Sequence, residues 1–449
     1  MTPPRSNVPG FSRLWIIIPI LCALYYMLLN TVHLQLYSSI RHVYSEHLVH
    51  LSFFGLSPET IASQKSSQIL LTPPDNLNTL QPFTRHIVAV GDLHGDLPNA
   101  LCVLRFSKVI DNVGNWSGAV DFFVQTGDII DRGDDTIKLF KLMEKLRSQA
   151  PKTGGVVISH LGNHEWMNAI GDWRYVYPSE IKTFGTVEAR QRMISTGSIG
   201  RAWANNYTVA SRLPLHPYLG PPNTPYPPVR SQLYFEQDLD GTEKLETSHM
   251  HELDLESGPL SHAALSFVHG GLSPTYEALV PFPEKINELG TSLLRKLQRR
   301  EQPPPHPPHP YPGLPPSATG EEHELYDANG PLWYRGWALE PEEKVCEDVE
   351  KVLKATGTRR MIMGHTPDFH NIVSRCNGKI IIIDTGISHA YGGVLSALSI
   401  HYTFTPVFDP ENTGAKQIWL EREVVSALYE EHQEVIADEQ RVVVGDFVA

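Results

Sequence analysis

The chain has 449 residues, of which 37 are basic and 50 acidic, and its formal net charge is −13. Broad nucleic-acid surfaces depend on clustered Lys and Arg, so this charge argues against a nucleic-acid partner. Four cysteines in a chain of this length exclude a disulfide-stapled scaffold, although Cys346 and Cys376 form a candidate pair.

An apolar stretch without charged residues runs from Leu14 to Leu29, and Arg5 and Arg13 precede it. It is slightly shorter than the roughly 20 residues that span a bilayer, but the uncharged residues up to position 32 extend it. We predict a transmembrane signal anchor at residues 1–32 with a cytosolic N-terminus, because basic residues mark the cytosolic side. A cleaved signal peptide or another hydrophobic targeting sequence is the alternative.

This anchor would make the chain a single-pass membrane protein of the endomembrane system, with its globular domain lumenal or extracellular. Two Asn-x-Ser/Thr triplets fit such a location and give candidate glycosylation sites at Asn115 and Asn206, although such triplets also arise by chance. A polar stem is predicted at 33–84, ahead of a globular domain at 85–425.

Three short blocks within this domain follow apolar runs: GDLHGD from Gly91, GDIIDRG from Gly127 and GNHE from Gly162. Successive blocks begin about 35 residues apart, which is the length of a strand plus a crossover helix. Apolar, β-branched runs bounded by Gly and Asp are typical of buried parallel strands. The polar residues of the blocks should therefore lie at the carboxyl ends of neighbouring strands, where α/β sheets bind ligands.

Helices are predicted after the first two blocks from apolar residues three or four positions apart: Leu97, Leu101 and Leu104, then Ile137, Phe140 and Met143. Two insertions follow, one near 213–258 that is first Pro-rich and then acidic, and a second Pro-rich one near 301–320. Proline at this density disfavours helix and sheet, so we expect surface segments that are candidates for binding partners.

Strand signals return in ALSFVHGG, RMIMGHT and KIIIIDTG, and later apolar runs suggest an antiparallel close. Residues 426–449 are interpreted as an acidic helix and C-terminal tail.

The ordered blocks GDxHGD, GDxxDRG, GNHE, HGG and GHT resemble the calcineurin-like metallophosphoesterases, and within them the phosphoprotein phosphatase group. The segments NHEWMNAIGDWRYV and GSIGRAW are similar to the bacterial-like branch called Shewanella-like phosphatases. The resemblance extends from about Arg85 to Gly393, apart from the insertions. It implies an α/β fold, a four-layer α/β/β/α sandwich with a binuclear metal site at strand carboxyl ends.

Two segments depart from the eukaryotic phosphoprotein phosphatases. SHL replaces the usual Arg before GNHE, and IDTGIS stands in place of an SAPNY-like segment. The regulation and inhibitor sensitivity of those enzymes are therefore not carried over to this chain.

The resemblance implies six metal ligands with mixed oxygen and nitrogen donors: Asp92, His94, Asp128, Asn163, His269 and His365. The family pattern assigns the first three to one ion and the last four to the other, so Asp128 bridges. Such donors suit Mn, Fe or Zn better than Ca, and Mn is favoured. A structural role is the alternative for His269 and His365.

Two divalent ions and two carboxylates leave about two positive charges, which attract a phosphate dianion and stabilise a bridging hydroxide that attacks phosphorus directly. The resemblance assigns the general acid to His164, oriented by Asp131. Arg132 and Arg335 would bind the phosphate, together with Asn163. Asp384, in IDTG, is expected to form a turn rather than support a ligand.

The leading interpretation is a metal-dependent phosphomonoesterase, a phosphoric monoester hydrolase that acts on phosphoprotein at Ser/Thr or at Tyr. A hydrolase of diadenosine polyphosphates or small phosphate esters is the first alternative, because related enzymes share these blocks. The second is an interaction protein with a vestigial site, which predicts that at least one ligand is lost.

Overall fold

The computed structural model describes residues 81–228, 258–407 and 416–447. The strands are β1 (Phe83–Val90), β2 (Phe122–Gln125), β3 (Val156–His160), β4 (Tyr207–Thr208), β5 (Ala210–Pro214), β6 (Ala264–Val268), β7 (Arg360–Met363), β8 (Val373–Arg375), β9 (Ile380–Ile382), β10 (Ser396–Val407), β11 (Ile418–Tyr429) and β12 (Gln433–Val444). The helices are α1 (Leu97–Phe106), α2 (Thr136–Gln149), α3 (Asn163–Ile170), α4 (Pro178–Phe184), α5 (Val187–Ser195), α6 (Ser198–Asn206), α7 (Glu284–Arg299), α8 (Gly320–Tyr326), α9 (Gly336–Leu339) and α10 (Glu342–Thr356).

Two sheets form the centre of the fold. The seven-stranded sheet has the order β12-β11-β10-β1-β2-β3-β4, and the five-stranded sheet has the order β5-β6-β7-β9-β8. Strands β1 to β4 run parallel, whereas β10, β11 and β12 are antiparallel to their neighbours. In the second sheet β6, β7 and β9 are parallel, with β5 and β8 antiparallel at the edges. The predicted α/β fold and its antiparallel close are confirmed.

Alternate side chains of the strands enter different cores, because successive residues of a strand point to opposite faces. Ile87 of β1 and Ile362 of β7 belong to a core between the two sheets. Their neighbours Val88 and Met361 instead pack in the core that includes the helices. The sheets therefore face each other and carry helices on their outer sides, in the expected four layers.

The two helices predicted after the first blocks are present. The α1 helix begins after Asp96, whose Oδ1 accepts a hydrogen bond from the Asn99 amide at 3.1 Å. Leu104 of α1 and Phe140 and Met143 of α2 are buried, as their spacing predicts. The chain therefore uses each helix to return from one parallel strand to the start of the next.

The prediction of an acidic helix beyond Val425 is wrong. β11 continues to Tyr429, and β12 then pairs with it antiparallel in the same compact unit as the rest of the described chain. Two acidic residues of β12 are neutralised by arginines that are distant in sequence: Arg422 binds Asp438 at 2.7 Å, and Arg360 binds Glu439 at 2.6 Å. These partners explain why a run of acids belongs to a strand here.

The second insertion runs along the surface without a helix or strand of its own between positions 301 and 319, where an isolated β-bridge joins His306 to Asp172. The His306 amide donates to Gly171 O at 2.9 Å, and its carbonyl accepts from Trp173 N at 2.6 Å. The segment is therefore fixed against the loop after α3. Of the first insertion, residues 229–257 lie outside the described ranges.

The predicted anchor at 1–32 and the stem up to residue 80 also lie outside the described ranges. Within those ranges no helix is long and apolar enough to cross a membrane. The longest, α7, has 16 residues, or about 24 Å, and carries charged residues from Glu284 to Arg299. This finding contradicts the predicted transmembrane protein and its lumenal or extracellular location, which are not carried further.

The candidate disulfide is present. Cys346 of α10 is bonded to Cys376 in the turn between β8 and β9, and Cys102 is free. Arg375, beside the bridge, donates to the carbonyls of Trp337 and Glu340 at 2.7 and 2.8 Å. The bridge and this arginine together connect α10 and the α9 segment to the edge of the second sheet.

Candidate metal centre

The six candidate ligands lie where parallel strands of both sheets end. Asp92 and His94 follow β1, Asp128 follows β2, and Asn163 opens α3 after β3. From the second sheet, His269 follows β6, and His365 comes two residues after β7. The structure thus brings together all the side chains that the three blocks and the two later histidines supply.

Each of the three candidate histidine ligands has one ring nitrogen at hydrogen-bond distance from a backbone carbonyl: His94 Nδ1 from Ile130 O (3.1 Å), His269 Nδ1 from Thr126 O (3.0 Å) and His365 Nε2 from Trp333 O (3.2 Å). In His94 and His269 the other nitrogen, Nε2, lies 3.7 and 3.3 Å from Asp128 Oδ2. A second nitrogen that donates to a carbonyl is what metal-bound histidines usually show. This orientation of the rings suits metal ligation.

Protonation also suits ligation at His94. Burial, together with the charge of His164, lowers the pKa of His94 to about 3. The ring is then neutral near neutral pH, which is the form that binds a metal.

Three carboxylates, from Asp92, Asp128 and Asp384, are almost completely buried, with exposed fractions of 2, 2 and 3%. Burial and the charges of Asp384 and Asp128 raise the pKa of Asp92. Burial alone would also raise the pKa of Asp128, but the histidines around it, His269 first, lower it. Buried carboxylates are costly unless cations compensate them. The donor set fits divalent metal ions, which would supply that charge.

Two triads of donors meet at one carboxylate. Ligand atoms of His94, Asp128 and His164 lie within 4.8 Å of one another, and so do those of Asp128, His269 and His365. Asp128 belongs to both, which is the position that a bridging carboxylate needs. The first triad contains the predicted acid His164 in place of the predicted ligand Asp92.

His164 differs from the other three histidines in its partner. Its Nδ1 contacts the Asp131 carboxylate at 2.7 Å, and its Nε2 is 3.9 Å from Asp128 Oδ2. Burial would lower the pKa of His164, but the charges of Asp128 and Asp131 raise it above its ordinary value. A histidine that keeps its proton cannot bind a metal through that nitrogen, so this environment favours the acid role over ligation.

A buried network that the sequence did not indicate lies behind this pair. Asn168 donates to Asp131 Oδ1 at 2.9 Å, and its own Oδ1 accepts from Arg190 Nη1 at 2.7 Å. Arg190 also forms an ion pair with Glu180 at 3.2 Å, and both side chains are 0% exposed. The helices α3, α4 and α5 thus hold Asp131 in place. In the sequence, the members of this network are only polar and charged residues of helical segments, which does not indicate that they are buried together.

Glu165, the last residue of GNHE, has a role that the motif alone did not reveal. Its carboxylate accepts hydrogen bonds from four backbone amides: Asp128 (2.9 Å), Ile129 (2.8 Å), Ile130 (3.3 Å) and Gly162 (2.8 Å). Burial and the charge of Asp128 raise the pKa of Glu165 to about 7, and the amide donors oppose that rise. Glu165 therefore connects the loop that carries Asp128 to the start of α3. The sequence feature that could have indicated this role is an acidic residue at the third position of a helix, where it can accept from backbone amides.

The backbone of the site is strained. Five of the nine non-glycine residues with positive φ in the described ranges belong to the predicted site: His94, Asp128, Asp131, Arg132 and His365. Such conformations are costly and cluster at functional sites. The loops after β1, β2 and β7 are therefore held in place by the contacts that they make.

Glycines make room for the acids at two points. A Cβ at Gly162 would overlap Asp128 Oδ1, and a Cβ at Gly364 would overlap Asp92 Oδ1. A residue with a side chain would displace a candidate ligand at either position.

The two predicted phosphate-binding arginines flank the same centre. The guanidinium of Arg132 lies between the rings of Tyr175 and Tyr391, at 4.3 and 4.9 Å from their centroids, and its buried Nε has no hydrogen-bond partner. Arg335 donates to His365 O at 2.8 Å and to Thr366 Oγ1 at 3.0 Å. Both arginines are placed where a phosphate held beside the histidines could reach them.

Three other residues singled out in the sequence have defined positions. Asp384 forms the expected turn by accepting from the Gly386 amide at 3.0 Å, but it also lies against Asp92. Asn115 is half-buried, whereas Asn206 is exposed and donates to Glu144 at 2.8 Å. Glycosylation at either asparagine stays a prediction.

Buried histidines and carboxylates around a shared aspartate, with a carboxylate-paired histidine and two arginines beside them, are the groups that a metal-dependent hydrolase of phosphate esters requires. The chain matches the calcineurin-like phosphoesterase family over residues 85–369, and it belongs to that family. The family implies divalent metal ions as cofactors, and the chain is a phosphoric monoester hydrolase that acts on phosphorylated substrates. The alternative of an interaction protein with a vestigial site is therefore wrong.

The chain is also similar to individual proteins. An uncharacterized protein of Schizosaccharomyces pombe is 36% identical over 319 residues, which cover 70% of this chain and 76% of that protein. Shewanella-like protein phosphatase 2 of Arabidopsis thaliana is 28% identical over 67% of this chain and 71% of its own length. The cold-active protein-tyrosine phosphatase of a psychrophilic Shewanella species has the same fold, with a TM-score of 0.51 and 21% identity over 79% of this chain and 80% of that one.

Proposed function

We propose that the chain is a protein phosphatase that hydrolyses phosphate monoesters on Ser, Thr or Tyr side chains with two divalent ions, for which Mn is favoured. The observation that carries the proposal is the contrast between the histidines. Three of them contact backbone carbonyls and face Asp128, whereas His164 contacts the carboxylate of Asp131. The names of two relatives, both Shewanella-like protein phosphatases, support the substrate class.

The residues present would hold the ions as the family pattern assigns them. Asp92, His94 and Asp128 would bind one ion, and Asp128 with Asn163, His269 and His365 would bind the other. When bound, the ions would supply a hydroxide nucleophile at neutral pH and withdraw charge from the phosphoryl group.

The remaining steps belong to side chains of the chain itself. Arg132 and Arg335 would each offer N–H donors to phosphate oxygens and hold the ester in line. His164 would give a proton to the leaving oxygen from Nε2, because Asp131 occupies Nδ1. Asp131 in turn keeps the ring in this orientation and favours its charged form.

The test is a substrate panel measured on the full chain after its metals are removed and Mn, Fe or Zn is restored. The panel contains phosphoserine, phosphothreonine and phosphotyrosine peptides, p-nitrophenyl phosphate and a diadenosine polyphosphate. We expect metal-dependent release of phosphate from at least one class of phosphopeptide, most strongly with Mn. Hydrolysis of the diadenosine polyphosphate alone would contradict the proposal and establish the alternative.

Asp128→Asn provides the first check on the centre. We expect this variant to lose most of its bound metal and its activity, because the shared carboxylate would be replaced by a weaker, neutral ligand. Asp134→Asn is the matched control, since Asp134 lies in the same loop but is exposed and accepts only from Ser179 Oγ among the described hydrogen bonds. Elemental analysis measures the metal content of both variants. Full metal occupancy in Asp128→Asn would refute the proposal that Asp128 is a ligand shared by the two ions.

A further inference from the structure

A cleft of about 740 Å³ lies beside the candidate centre, and of the candidate ligand, acid and phosphate-binding residues only Arg335 lines it. Its size is within the roughly 300–1,000 Å³ of typical ligand pockets. Aromatic side chains form much of its wall: Tyr175, Tyr311, Tyr326, Trp333 and Tyr334. Leu339, which is 71% exposed, stands at its edge.

The cleft is continuous with the centre. Trp333 lines the cleft and also contacts His365. The Trp333 carbonyl is 3.2 Å from His365 Nε2, and the centroids of the two rings are 5.6 Å apart. Tyr175 lines it as well, with its ring 5.0 Å from His164. Arg335, the second predicted phosphate ligand, is part of the same wall. A substrate whose phosphate lies between the arginines would therefore extend directly into the cleft.

The charged groups of the cleft already have partners within the protein. Arg174 binds the buried carboxylate of Asp172 through Nε at 3.0 Å and Nη2 at 2.7 Å. Glu340 pairs with Lys344, and Arg335 is the charged residue of the wall that is proposed to bind the phosphate itself. A charged ligand group would have to compete with these pairs, so charge gives it little advantage here.

The aromatic rings, in contrast, offer apolar surface. The hydroxyl groups of Tyr311 and Tyr326 interact with each other, which leaves the faces of their rings for contact. Tyr311 is 46% exposed and comes from the second Pro-rich insertion. Trp333 lies edge-on to Tyr326, with 5.8 Å between their centroids. The wall is therefore suited to an apolar or aromatic group.

We propose that this cleft binds an apolar or aromatic side chain of the substrate protein, at a position close to the phosphorylated residue. Tyr311 and Leu339 are then specificity-determining residues. The proposal rests on the proposed protein phosphatase function, since only a polypeptide substrate places a second side chain at that distance. It adds that the insertion at 301–320 takes part in the choice of substrate.

The test is a scan of phosphopeptides with the full chain loaded with Mn. In otherwise alanine-rich hosts, each neighbouring position on both sides of the phosphorylated residue is changed in turn to Trp, Leu, Lys or Asp. We expect Trp or Leu at one or two positions to raise kcat/KM by about 10-fold over Ala, which corresponds to partial burial of one apolar side chain. Equal rates for all residues at every position, or a preference for Asp or Lys, would overturn the proposal.

Variants at the rim assign the preference to the cleft. Tyr311→Ala and Leu339→Ser should each reduce the ratio of kcat/KM between the best apolar peptide and its Ala counterpart to about 3-fold or less. Val113→Ser is the matched control, because Val113 is 78% exposed but does not line the cleft. An undiminished ratio in both rim variants would place the preference elsewhere.

The scan separates the two proposals. If the enzyme hydrolyses phosphopeptides without any apolar preference, the cleft proposal fails and the protein phosphatase function stands. If it hydrolyses p-nitrophenyl phosphate but no phosphopeptide, the proposed function fails, and the cleft loses this occupant with it.

Discussion

At the scale of single residues, the partner of a ring nitrogen distinguishes the histidines of the centre. His94, His269 and His365 contact neutral carbonyls, whereas His164 contacts the charged Asp131 at 2.7 Å. A carbonyl fixes a neutral tautomer, but a carboxylate favours the protonated ring. The same residue type can therefore supply both metal ligands and an acid within one site.

His164→Asn should leave the metal content intact, because the proposed ligands remain. It should lower kcat for substrates with poor leaving groups, such as alkyl phosphates, by roughly 10² to 10⁴, the usual contribution of a general acid. Aryl phosphates such as p-nitrophenyl phosphate should be affected much less, since their leaving group needs no proton. Equal losses on both kinds of substrate would remove His164 from the acid role.

Arg132 gives a second prediction at this scale, because the ring of Tyr391 lies 4.9 Å from its guanidinium. Tyr391→Leu should raise KM for a phosphate ester by about 3- to 10-fold, as the arginine loses one of the two rings that position it. Tyr391→Phe keeps the ring and should restore KM. Equal kinetics for Leu and Phe variants would show that the ring does not position Arg132.

The sequence predicted the residues that belong to motifs and missed those that act through distant contacts. The six ligand candidates, His164 and both arginines could be named because their spacing fits a known pattern. Tyr391 and Glu165 could not be assigned roles, since a ring beside Arg132 and amides beside a carboxylate depend on loops that meet only in the fold. Asp384 was interpreted as a turn residue, and its contact with Asp92 arises from the same long-range packing.

At the scale of elements, the short helices after the third block form one unit around buried charges. Arg190 of α5 pairs with Glu180 of α4, and it contacts Asp131 both directly at 3.7 Å and through Asn168 of α3. The α4 and α5 helices are too short to be stable alone, so tertiary contacts of this kind determine their positions. Stability and the orientation of the proposed acid are thereby coupled.

Arg190→Met should lower the free energy of unfolding by about 3–5 kcal/mol, because it leaves the carboxylate of Glu180 buried without its cation. Adding Glu180→Gln should recover part of the loss, which a double-mutant cycle in chemical denaturation would measure. Lys138→Met is the control, since Lys138 pairs with Asp135 at the surface, where ion pairs contribute little. Strict additivity of the Arg190 and Glu180 changes would contradict the coupling.

At the scale of the whole molecule, the core between the sheets depends on the C-terminal strands. Trp419 and Val425 of β11 and Val443 of β12 are at most 3% exposed and belong to that core. Trp419 also stacks on Phe404 of β10, with centroids 4.6 Å apart. These residues make the C-terminal region part of the catalytic fold rather than an appendage.

A chain that ends at Val425 should therefore fail to fold cooperatively, whereas one that ends at Phe447 should unfold like the full chain. Removal of the residues after Val425 takes Ala427, Tyr429, Val443 and Phe447 out of the core between the sheets and leaves the edge of β11 without its partner strand. Circular dichroism during thermal unfolding, together with size-exclusion chromatography, would distinguish the two. A cooperative transition in the shorter chain would refute this role of the C-terminal strands.

The alternation of strands and helices could be predicted because each parallel strand is a short apolar run with a local boundary. The final strand, β12, could not be predicted. The partners of Asp438 and Glu439 are arginines of other strands, and neighbouring residues in the sequence do not indicate such pairs. Short-range patterns therefore predicted the parallel strands better than the antiparallel edge.

The second insertion separates the residues proposed to select the substrate from the residues proposed to catalyse the reaction. Tyr311 stands on a segment with no helix or strand of its own, whereas the candidate ligands stand at the ends of strands shared by the core. If the cleft selects substrates as proposed, changes in this segment would alter the choice of target and leave the chemistry intact, whereas changes at the strand ends would remove the chemistry. Proteins that share the reaction could then differ in their targets through this one surface segment.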